Sequence, residues 1–447
     1  MRASLSLRRP ATIVLVLGAV AALLAVVLDL GVPARAAIVA VTCILLWLGE
    51  LTPVWQPTVL LWTMTPLLLA ASGDAFAPLR VLGWSADPVL ALFLGGFSIA
   101  AAASAQGVDR TVASSMLALS RGRPVRLVVL AALTTAVLSM WMSNVAAAAL
   151  MLAAMRPVVD ADTSPDGSLR RSLLLSIALA ANVGGIATPV GTGSNGIAMS
   201  ALEKTTPITF LQWMTFGVPL AFGLLAAALA VVLWRVRPVG DIAMPLKPPA
   251  SAPGPRWRLA VISAATILLW LTEPLHGVRA WVIALLAVGT LLLTRLIRWR
   301  EVRLMDWSTL LLIAGGIALG RLLDASGLVR IAAAQLPLAG VPALLRLLAL
   351  TLVGATLSAV MSNTATAAFL IPLALTLDPS PSTAIIVAVA TSLGVPFRIS
   401  TPPNAMAVGT GMLGSRELLL PGLLIMLGGC ALISLTGPAI LQLLGIP

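Results

Sequence analysis

Residues 142–149 read MSNVAAAA, and residues 361–368, 219 positions later, read MSNTATAA. Each copy places a Ser-Asn pair, Ser143-Asn144 or Ser362-Asn363, inside a long apolar stretch. An unpaired polar group in hydrocarbon costs several kcal/mol, so membrane proteins keep such groups where they touch a ligand, an ion or one another. Two copies therefore predict a two-part site built by an internal repeat, as is typical of secondary transporters.

The composition places the chain in a membrane. Of its 447 residues, 59% are hydrophobic and only 10% are charged, which excludes an ordinary soluble protein. Eleven apolar runs are long enough, or nearly so, to cross ~30 Å of hydrocarbon as helices. Two further runs, 127–157 and 344–376, are interrupted near their middles by the Ser-Asn pairs. The sequence predicts an all-α polytopic membrane protein with about 11 transmembrane helices and two re-entrant helical hairpins.

The net charge of +12 reflects topology rather than a nucleic-acid partner. With a cytoplasmic N-terminus and eleven spans, 20 of the 28 basic residues fall on the inner side, as the positive-inside rule requires. We therefore expect a multi-pass protein of the inner (plasma) membrane, surrounded by lipid, with no nucleic-acid partner.

Other landmarks repeat in the same order as the Ser-Asn pair. They are WLGE at 47–50 and WLTE at 270–273, LGGF at 94–97 and AGGI at 314–317, and TGSN at 192–195 and TPPN at 401–404. We predict an N-terminal helix (1–34), a first repeat (35–234), a cytoplasmic linker (235–257) and a second repeat (258–447). Because each repeat holds an odd number of spans, the second is inverted relative to the first.

Each repeat ends with two elements that interrupt a helix within the membrane. The first is the hairpin, at 127–157 or 344–376, and the second is a Gly/Pro-broken helix, at 171–199 or 383–410. A hairpin tip offers N–H groups to an anion and carbonyl groups to a cation such as Na⁺. The simpler interpretations, a helix-packing hydrogen bond at Ser-Asn and a mere kink at Gly or Pro, lose weight because both features occur in both repeats.

The remaining polar and glycine landmarks have structural interpretations. The pairs Gly95-Gly96 and Gly315-Gly316 indicate close helix packing rather than ligand binding. Glu50 and Glu273 lie near span ends, where capping or interfacial roles are expected.

These motifs resemble the divalent anion–sodium symporter (DASS) family, which transports dicarboxylates, citrate or sulfate. The resemblance covers nearly the whole chain and implies a homodimer whose transport domain slides as an elevator against a static scaffold. It implies substrate contacts at Asn144, Asn363, Thr364, Thr401 and Pro402. It also implies sodium contacts at Ser139, Ser143, Asn144 and Gly191 in the first repeat, and at Ser358, Ser362, Asn363 and Ser400 in the second.

The sequence departs from the family pattern at three places. Val145 stands where the family has Thr, and Gly193-Ser194 stands where it often has Pro-Pro. Arg398 lies in a predicted span, where an unpaired cation is costly. Its side chain could contact the bound anion, could replace the second-half Na⁺ to give a sodium-independent exchanger, or could extend to the inner interface.

The function expected is therefore secondary transport of C4 dicarboxylates such as succinate or malate, coupled to Na⁺. The alternatives are a sodium-independent dicarboxylate exchanger or a sulfate or citrate transporter. An intramembrane enzyme is disfavoured, because His276 is the one histidine and no His-Glu-x-x-His motif occurs. A channel would need a continuous polar stripe, which the spans lack. We expect no catalytic residue, no cofactor and no metal other than sodium.

Overall fold

The computed structural model describes residues 8–49, 51–162, 164, 166–239, 256–336 and 340–446. Within these residues the chain forms 22 α-helices, three short 3-10 helices and no strand. Glu50 and most of the predicted linker (240–255) lie outside the described residues.

Eleven α-helices precede the linker. They are α1 (Arg8–Val27), α2 (Val32–Leu48), α3 (Gln56–Leu69), α4 (Pro78–Gly83), α5 (Pro88–Ala105), α6 (Val108–Ser120), α7 (Pro124–Ser139), α8 (Asn144–Asp160), α9 (Ser168–Gly184), α10 (Gly193–Leu202) and α11 (Phe210–Arg235). The 3-10 helices are Ala70–Ser72, Asp74–Phe76 and Gly185–Ala187.

The eleven α-helices after the linker follow a similar order. They are α12 (Arg256–Leu271), α13 (Glu273–His276), α14 (Ala280–Leu293), α15 (Trp299–Arg303), α16 (Trp307–Ala325), α17 (Leu328–Ala334), α18 (Ala343–Ser358), α19 (Asn363–Leu377), α20 (Pro381–Thr391), α21 (Pro402–Gly409) and α22 (Ser415–Leu443).

The apolar helices agree with a polytopic membrane protein. Six helical segments of the described chain are long and apolar enough to cross a bilayer, judged by length and composition. They are Pro10–Val27, Pro88–Ala105, Ser168–Ala187, Phe210–Arg235, Trp307–Ala325 and Ser415–Leu443. Seven shorter apolar helices accompany them, among them both limbs of the second hairpin. Leucines such as Leu67 (78% exposed) and Leu293 (86% exposed) present the apolar surface that lipid covers.

The first halves of the two repeats pack closely on one another. A Cβ atom added to Gly95 on α5 would lie 2.6 Å from Ala284 Cβ on α14. A Cβ atom added to Gly315 on α16 would likewise overlap the side chain of Thr58 on α3. The Thr58 hydroxyl donates to Leu311 O (2.8 Å). Only a residue without a side chain permits such an approach, so these glycines pack helices, as the sequence predicted.

The broken helices form the centre of the molecule. α9 packs on the first hairpin limb α7, and α20 packs in the same way on α18. α9 also contacts α21, and α10 contacts α19, so the broken helix of each repeat touches an element of the other repeat. Every residue of α20 is buried, and 89% of the window Ser168–Ala187 is buried. The four interrupted elements therefore meet in one place.

Candidate functional site

Both Ser-Asn pairs lie where a helix restarts. Four residues separate α7 from α8, and four separate α18 from α19. Ser143 Oγ accepts a hydrogen bond from Ala146 N (3.3 Å), and Ser362 Oγ accepts one from Ala365 N (3.1 Å). Serine is among the preferred N-cap residues, because its short side chain satisfies an N–H group that a beginning helix leaves unpaired. The serine of each pair thus starts the second limb of its hairpin at the following asparagine.

The second limbs present backbone donors at their N-terminal ends. The first two residues are Asn144 and Val145 in α8, and Asn363 and Thr364 in α19. Their N–H groups have no acceptor in the part of the chain that the structure describes. Free N–H groups and the positive end of the helix dipole favour negative charge. Both tips are therefore suited to an anion.

The broken helices restart in a similar way. α10 begins at Gly193 after Thr192, and α21 begins at Pro402 after Thr401, whose Oγ1 accepts from Asn404 N (3.4 Å). The two starts differ in one respect. Proline has no N–H group, so the first turn of α21 lacks donors that the first turn of α10 possesses.

An asparagine in each broken helix fastens its own break. Asn195 Nδ2 donates to Gly185 O (2.9 Å) and Thr188 O (2.8 Å). Asn404 Nδ2 donates to two carbonyls of the second break, Val395 O and Phe397 O, both at 3.0 Å. These bonds satisfy carbonyl groups that the interruption frees, which non-helical backbone at membrane depth requires.

Glycine allows each broken helix to lie directly on its hairpin. A Cβ atom on Gly184 would lie 2.5 Å from Ala136 O, and one on Gly394 would lie 2.5 Å from Ala355 O. Real Cβ atoms do not approach a carbonyl oxygen so closely. The same contact thus recurs in both repeats, between the broken helix and the first hairpin limb.

A cavity of about 120 Å³ lies where the tips and breaks meet. Nine of the residues predicted for the site line it: Ser143, Asn144, Gly191, Ser362, Asn363, Thr364, Ser400, Thr401 and Pro402. Ser139 and Ser358 are fully buried behind the tips: Ser139 Oγ lies 2.7 Å from the amide of Asn144, and Ser358 Oγ donates to Asn363 Oδ1 (2.7 Å). The structure brings these eleven residues together.

Oxygen atoms crowd around the amide of Asn144. One of its two polar atoms lies 2.7 Å from Ser139 Oγ, 3.1 Å from Ala181 O and 3.2 Å from Gly191 O. If this atom is Nδ2, the amide donates to its neighbours. If it is Oδ1, four oxygens lie close together while Ser139 has a single hydroxyl proton to share, and Ala181 O is only 2.6 Å from Ser139 Oγ. A monovalent cation fits that second arrangement, because hard cations take oxygen ligands.

The equivalent region of the second repeat is simpler. Ser358 Oγ donates to Asn363 Oδ1, and Ser400 Oγ accepts from Phe397 N (3.0 Å). Buried Ser392 Oγ has no hydrogen-bond partner among the described residues. The oxygen cluster is thus denser in the first repeat than in the second.

Arg398 does not belong to the cavity. It lies in the interruption of the second broken helix, between the end of α20 at Thr391 and the start of α21 at Pro402. The intervening chain turns at the surface, and Arg398 is exposed there between exposed Phe397 and Ile399. It is not among the residues that line the cavity.

Several lining residues escaped the sequence analysis. Phe93 and Phe97 come from α5, and Thr309 comes from the start of α16, where its hydroxyl donates to Asp306 Oδ2 (2.7 Å). Asn182 comes from α9. An asparagine in an otherwise apolar helix was the one available signal. The others are typical core or capping residues, and only the fold shows that they face the site.

A larger cavity, of about 690 Å³, adjoins the first, since Phe97 and Ser143 line both. We call it the α8 vestibule; its walls are α5, α8 and residues 300–306. A third cavity, the α19 cavity of about 300 Å³, lies between α10, α16 and α19, and shares none of its described lining residues with the central one. Val145 at the first tip is 38% exposed, whereas Thr364 at the second is 7% exposed. The central cavity is open towards the α8 vestibule.

A polar cluster ties α10 to its surroundings. Ser200 Oγ donates to Asp87 Oδ2 (2.6 Å), and Arg279 pairs with Glu203 (3.2 Å) and, more loosely, with Glu273 (3.9 Å). Glu273 Oε2 also accepts from Phe210 N at the start of α11 (3.5 Å), which is a capping contact. Burial raises the pKa of the Glu273 carboxyl above its ordinary value of 4.5, although backbone N–H groups and the Arg279 charge oppose this.

The chain is similar in sequence to known membrane transporters. The chain matches the CitMHS family of citrate transporters over residues 3–394. An uncharacterized transporter of Haemophilus influenzae is 31% identical over 405 residues, which cover 85% of this chain and 86% of that protein. The sodium-dependent dicarboxylate transporter SdcS of Staphylococcus saprophyticus is 26% identical over 415 residues, which cover 83% of this chain and 79% of SdcS.

A relative named for a different substrate covers less of the chain. The inorganic phosphate transporter PHO87 of Saccharomyces cerevisiae is 28% identical over 304 residues, which are 64% of this chain and 32% of PHO87. Among solved structures, the YdaH transporter of Alcanivorax borkumensis superimposes with a TM-score of 0.55 at 15% identity, covering 78% of this chain and 84% of YdaH. At that identity the likeness concerns the fold.

Proposed function

Since the chain belongs to the CitMHS family of citrate transporters and is not an enzyme, we propose that it carries C4 dicarboxylates, such as succinate or malate, by sodium-coupled symport. The anion binds in the central cavity between the two hairpin tips. The membrane is the inner (plasma) membrane, with the N-terminus in the cytoplasm. The observation that carries the proposal is the pairing of two helix starts with free donors around one cavity.

The geometry suits an anion with two charged ends. α8 contributes the N–H groups of Asn144 and Val145, and α19 contributes those of Asn363 and Thr364. Each helix start stabilises one negative group. Two carboxylates on one short carbon chain can therefore bind one tip each, without a positively charged side chain in the cavity.

Sodium binds behind the first tip. Its ligands are Ser139 Oγ, Asn144 Oδ1 and the carbonyls of Ala181 and Gly191, which support the proposal because they lie close together. A second ion binds near Ser358, Asn363 and Ser400, where fewer oxygens converge. Bound Na⁺ also offsets part of the negative charge that the substrate brings into a low-dielectric interior.

The amide of Asn144 couples the two ligands. With Na⁺ present, Oδ1 faces the ion, so Nδ2 is left to donate to the anion. Without Na⁺, Nδ2 faces the carbonyls of Ala181 and Gly191, and Oδ1 is left to face the anion, which it repels. The anion therefore binds more tightly when the ion is bound, and linkage requires the reverse as well.

Alternating access follows from movement of the interrupted elements. The hairpins and broken helices form a transport domain, and the closely packed pairs α5–α14 and α3–α16 form the static scaffold of a homodimer. The state described opens through the α8 vestibule, which the basic segment 295–303 places on the cytoplasmic side by the positive-inside rule. The position of Arg398 gives no support to the sodium-independent exchanger, because Arg398 is not among the residues that line the cavity.

The test is uptake of labelled succinate into proteoliposomes under three conditions: an inward Na⁺ gradient, K⁺ alone, and K⁺ with succinate preloaded inside. We expect uptake that requires the Na⁺ gradient. Uptake that ignores Na⁺ but needs internal succinate would replace symport by exchange. Repeating the assay with citrate, sulfate and phosphate identifies the substrate if succinate is not carried.

A further inference from the structure

Asn182 is a buried polar residue of the cavity that the proposed function does not use. It lies on α9, is fully buried, and lines the central cavity. Its Nδ2 donates to Ala178 O (2.9 Å) on its own helix and to Asn404 Oδ1 (3.1 Å) in the other repeat. The two hydrogens of the amide are therefore committed.

The neighbouring amide fixes the orientation of this one. Asn404 Nδ2 donates to Val395 O and Phe397 O, so the atom that Asn404 turns towards Asn182 is its oxygen. An oxygen requires a donor, so Nδ2 of Asn182 must face it. Asn182 Oδ1 is then the free polar atom of the side chain, and it has no donor among the described residues.

A buried acceptor without a donor is costly, and most such atoms in folded proteins find a partner. A dicarboxylate without a hydroxyl group, such as succinate, does not supply one, because its carboxylate oxygens are acceptors too and would repel Asn182 Oδ1. An anion that carries a hydroxyl group does supply one. Malate differs from succinate in this group alone, and hydrogenphosphate differs from sulfate in the same way, since it keeps one O–H near neutral pH.

We propose that Asn182 Oδ1 accepts a hydrogen bond from a hydroxyl group of the bound anion, so that the site selects hydroxylated anions over the matching anions without the hydroxyl. The inference rests on the proposed function for the location of the site. It adds a residue that determines specificity and a substrate class, hydroxy acids or hydrogenphosphate. Sites built to bind a substrate hydroxyl reject the analogue that lacks it strongly, up to about 10⁴-fold or more.

The experiment measures binding to the purified protein in Na⁺-containing detergent solution by ligand-induced thermal stabilisation. Malate, succinate, hydrogenphosphate and sulfate are titrated in turn, so transport itself is not needed. We expect at least one hydroxylated anion to bind about tenfold or more tightly than its partner. In Asn182→Ala that preference should fall towards onefold, while affinity for the unhydroxylated partner changes less.

Asn195 supplies the matched control. It too is a fully buried asparagine whose Nδ2 serves two carbonyls and whose Oδ1 has no described donor, but it does not line the cavity. Asn195→Ala should weaken both members of a pair equally and leave their ratio intact. Because the readout is a ratio within one variant, general loss of stability does not imitate the expected result.

Each contrary result has a distinct meaning. Equal binding of malate and succinate, and of hydrogenphosphate and sulfate, to the unaltered protein overturns the role of Asn182 but leaves the proposed function standing. A preference that survives in Asn182→Ala does the same. If Asn182→Ala instead shifts the Na⁺ dependence of both members equally, the residue serves the cation. Failure of all four anions and of citrate to bind overturns both proposals.

Discussion

Asn144 contacts three oxygen atoms of its surroundings and also lines the cavity, so a single amide touches both regions of the site. Its position depends on Ser143, which caps α8, and on Ser139, which is the last residue of α7. The tetrapeptide break between the two limbs thus places three polar side chains within a few residues. The pseudo-equivalent trio Ser358, Ser362 and Asn363 repeats the arrangement.

Ser139, proposed above as a sodium ligand, provides the first prediction. Ser139→Ala removes one oxygen from the cluster and leaves the hairpin sequence otherwise intact. We expect the Na⁺ concentration for half-maximal uptake to rise about tenfold, equivalent to ~1.4 kcal/mol of ion binding. Thr135→Val is the control, because the Thr135 hydroxyl is buried one turn earlier and bonds only to Ala131 O of its own helix (2.6 Å). Equal Na⁺ curves for both variants would remove Ser139 from the ion site.

The glycines at the contacts between broken helix and hairpin, Gly184 and Gly394, provide the second prediction. Gly184→Ala forces a methyl group against Ala136 O, so α9 must move off α7. We expect a loss of about 1–3 kcal/mol of stability, seen as a lower melting temperature, together with impaired uptake. Gly394→Ala should behave alike in the second repeat.

Gly223→Ala on α11 is the matched control, since a Cβ atom there meets nothing within 4 Å. Alanine is a better helix former than glycine by up to about 1 kcal/mol, so this variant should be as stable as the parent or slightly more stable. A normal melting temperature for Gly184→Ala would show that the α7–α9 contact is looser than described.

The polar cluster at the end of α10 provides a pH-dependent prediction. Because the folded protein raises the pKa of Glu273, the folded state holds that proton more tightly than the unfolded state does. The contribution of this proton to the free energy of unfolding is fully present below about pH 4.5, and it is lost as the pH rises through the higher folded-state pKa. Glu273→Gln carries no titrating proton and should lack this decline.

The measurement compares melting temperatures of the parent and Glu273→Gln from about pH 4 to pH 8. The two proteins should agree at the acidic end, and the variant should gain on the parent as the pH increases. Arg279, Glu203 and Asp87 are the charged neighbours, and the Arg279 contact at 3.9 Å limits the gain. A parallel pair of curves would mean that the carboxyl titrates normally in the folded protein.

The interrupted elements were the most predictable part of the fold. A Ser-Asn pair within an apolar run signals a helix that stops and is capped again, and Gly and Pro mark the breaks that follow. Such signals are local, so the sequence predicts them well: the second limbs begin at Asn144 and Asn363 themselves. Repetition made the prediction stronger, since a chance motif does not recur in register.

Contacts between distant elements were not predictable. Phe93 and Thr309 belong to ordinary apolar helices, and nothing in their local sequence shows that both face the hairpin tips. Asn182 depends on Asn404, 222 positions away, for its orientation. The local sequence also does not show that Arg398, in the interruption between α20 and α21, is exposed and absent from the cavity lining.

Solvent exposure differs between the second limbs of the two hairpins. Ala149 on α8 is exposed in the α8 vestibule, whereas its repeat partner Ala368 on α19 is fully buried. A single cysteine at each position should report the difference. The native cysteines Cys43 and Cys430 are fully buried and give little background.

We expect Ala149→Cys to react with a water-soluble thiol reagent roughly tenfold faster than Ala368→Cys in the state described here, because exposure governs access to the thiol. Labelling from the cytoplasmic side of oriented vesicles should be the effective direction. Adding Na⁺ and substrate allows the transporter to open to the other side, so the ratio of the two labelling rates should decrease. Faster labelling of Ala368→Cys would mean that the resting protein opens through the α19 cavity instead.

The donors proposed to receive the anion are main-chain groups at the starts of α8 and α19, and this has a consequence for the evolution of the site. Mutation replaces side chains, but it leaves a backbone N–H in place unless proline is introduced. The capacity to hold an anion is thus inherited almost unconditionally, while neighbours such as Val145, Asn182 and Thr364 are free to vary. A lineage can change its substrate by a few substitutions while the helix starts that bind the anion stay the same. Relatives named for dicarboxylate and for phosphate are what such a history would leave.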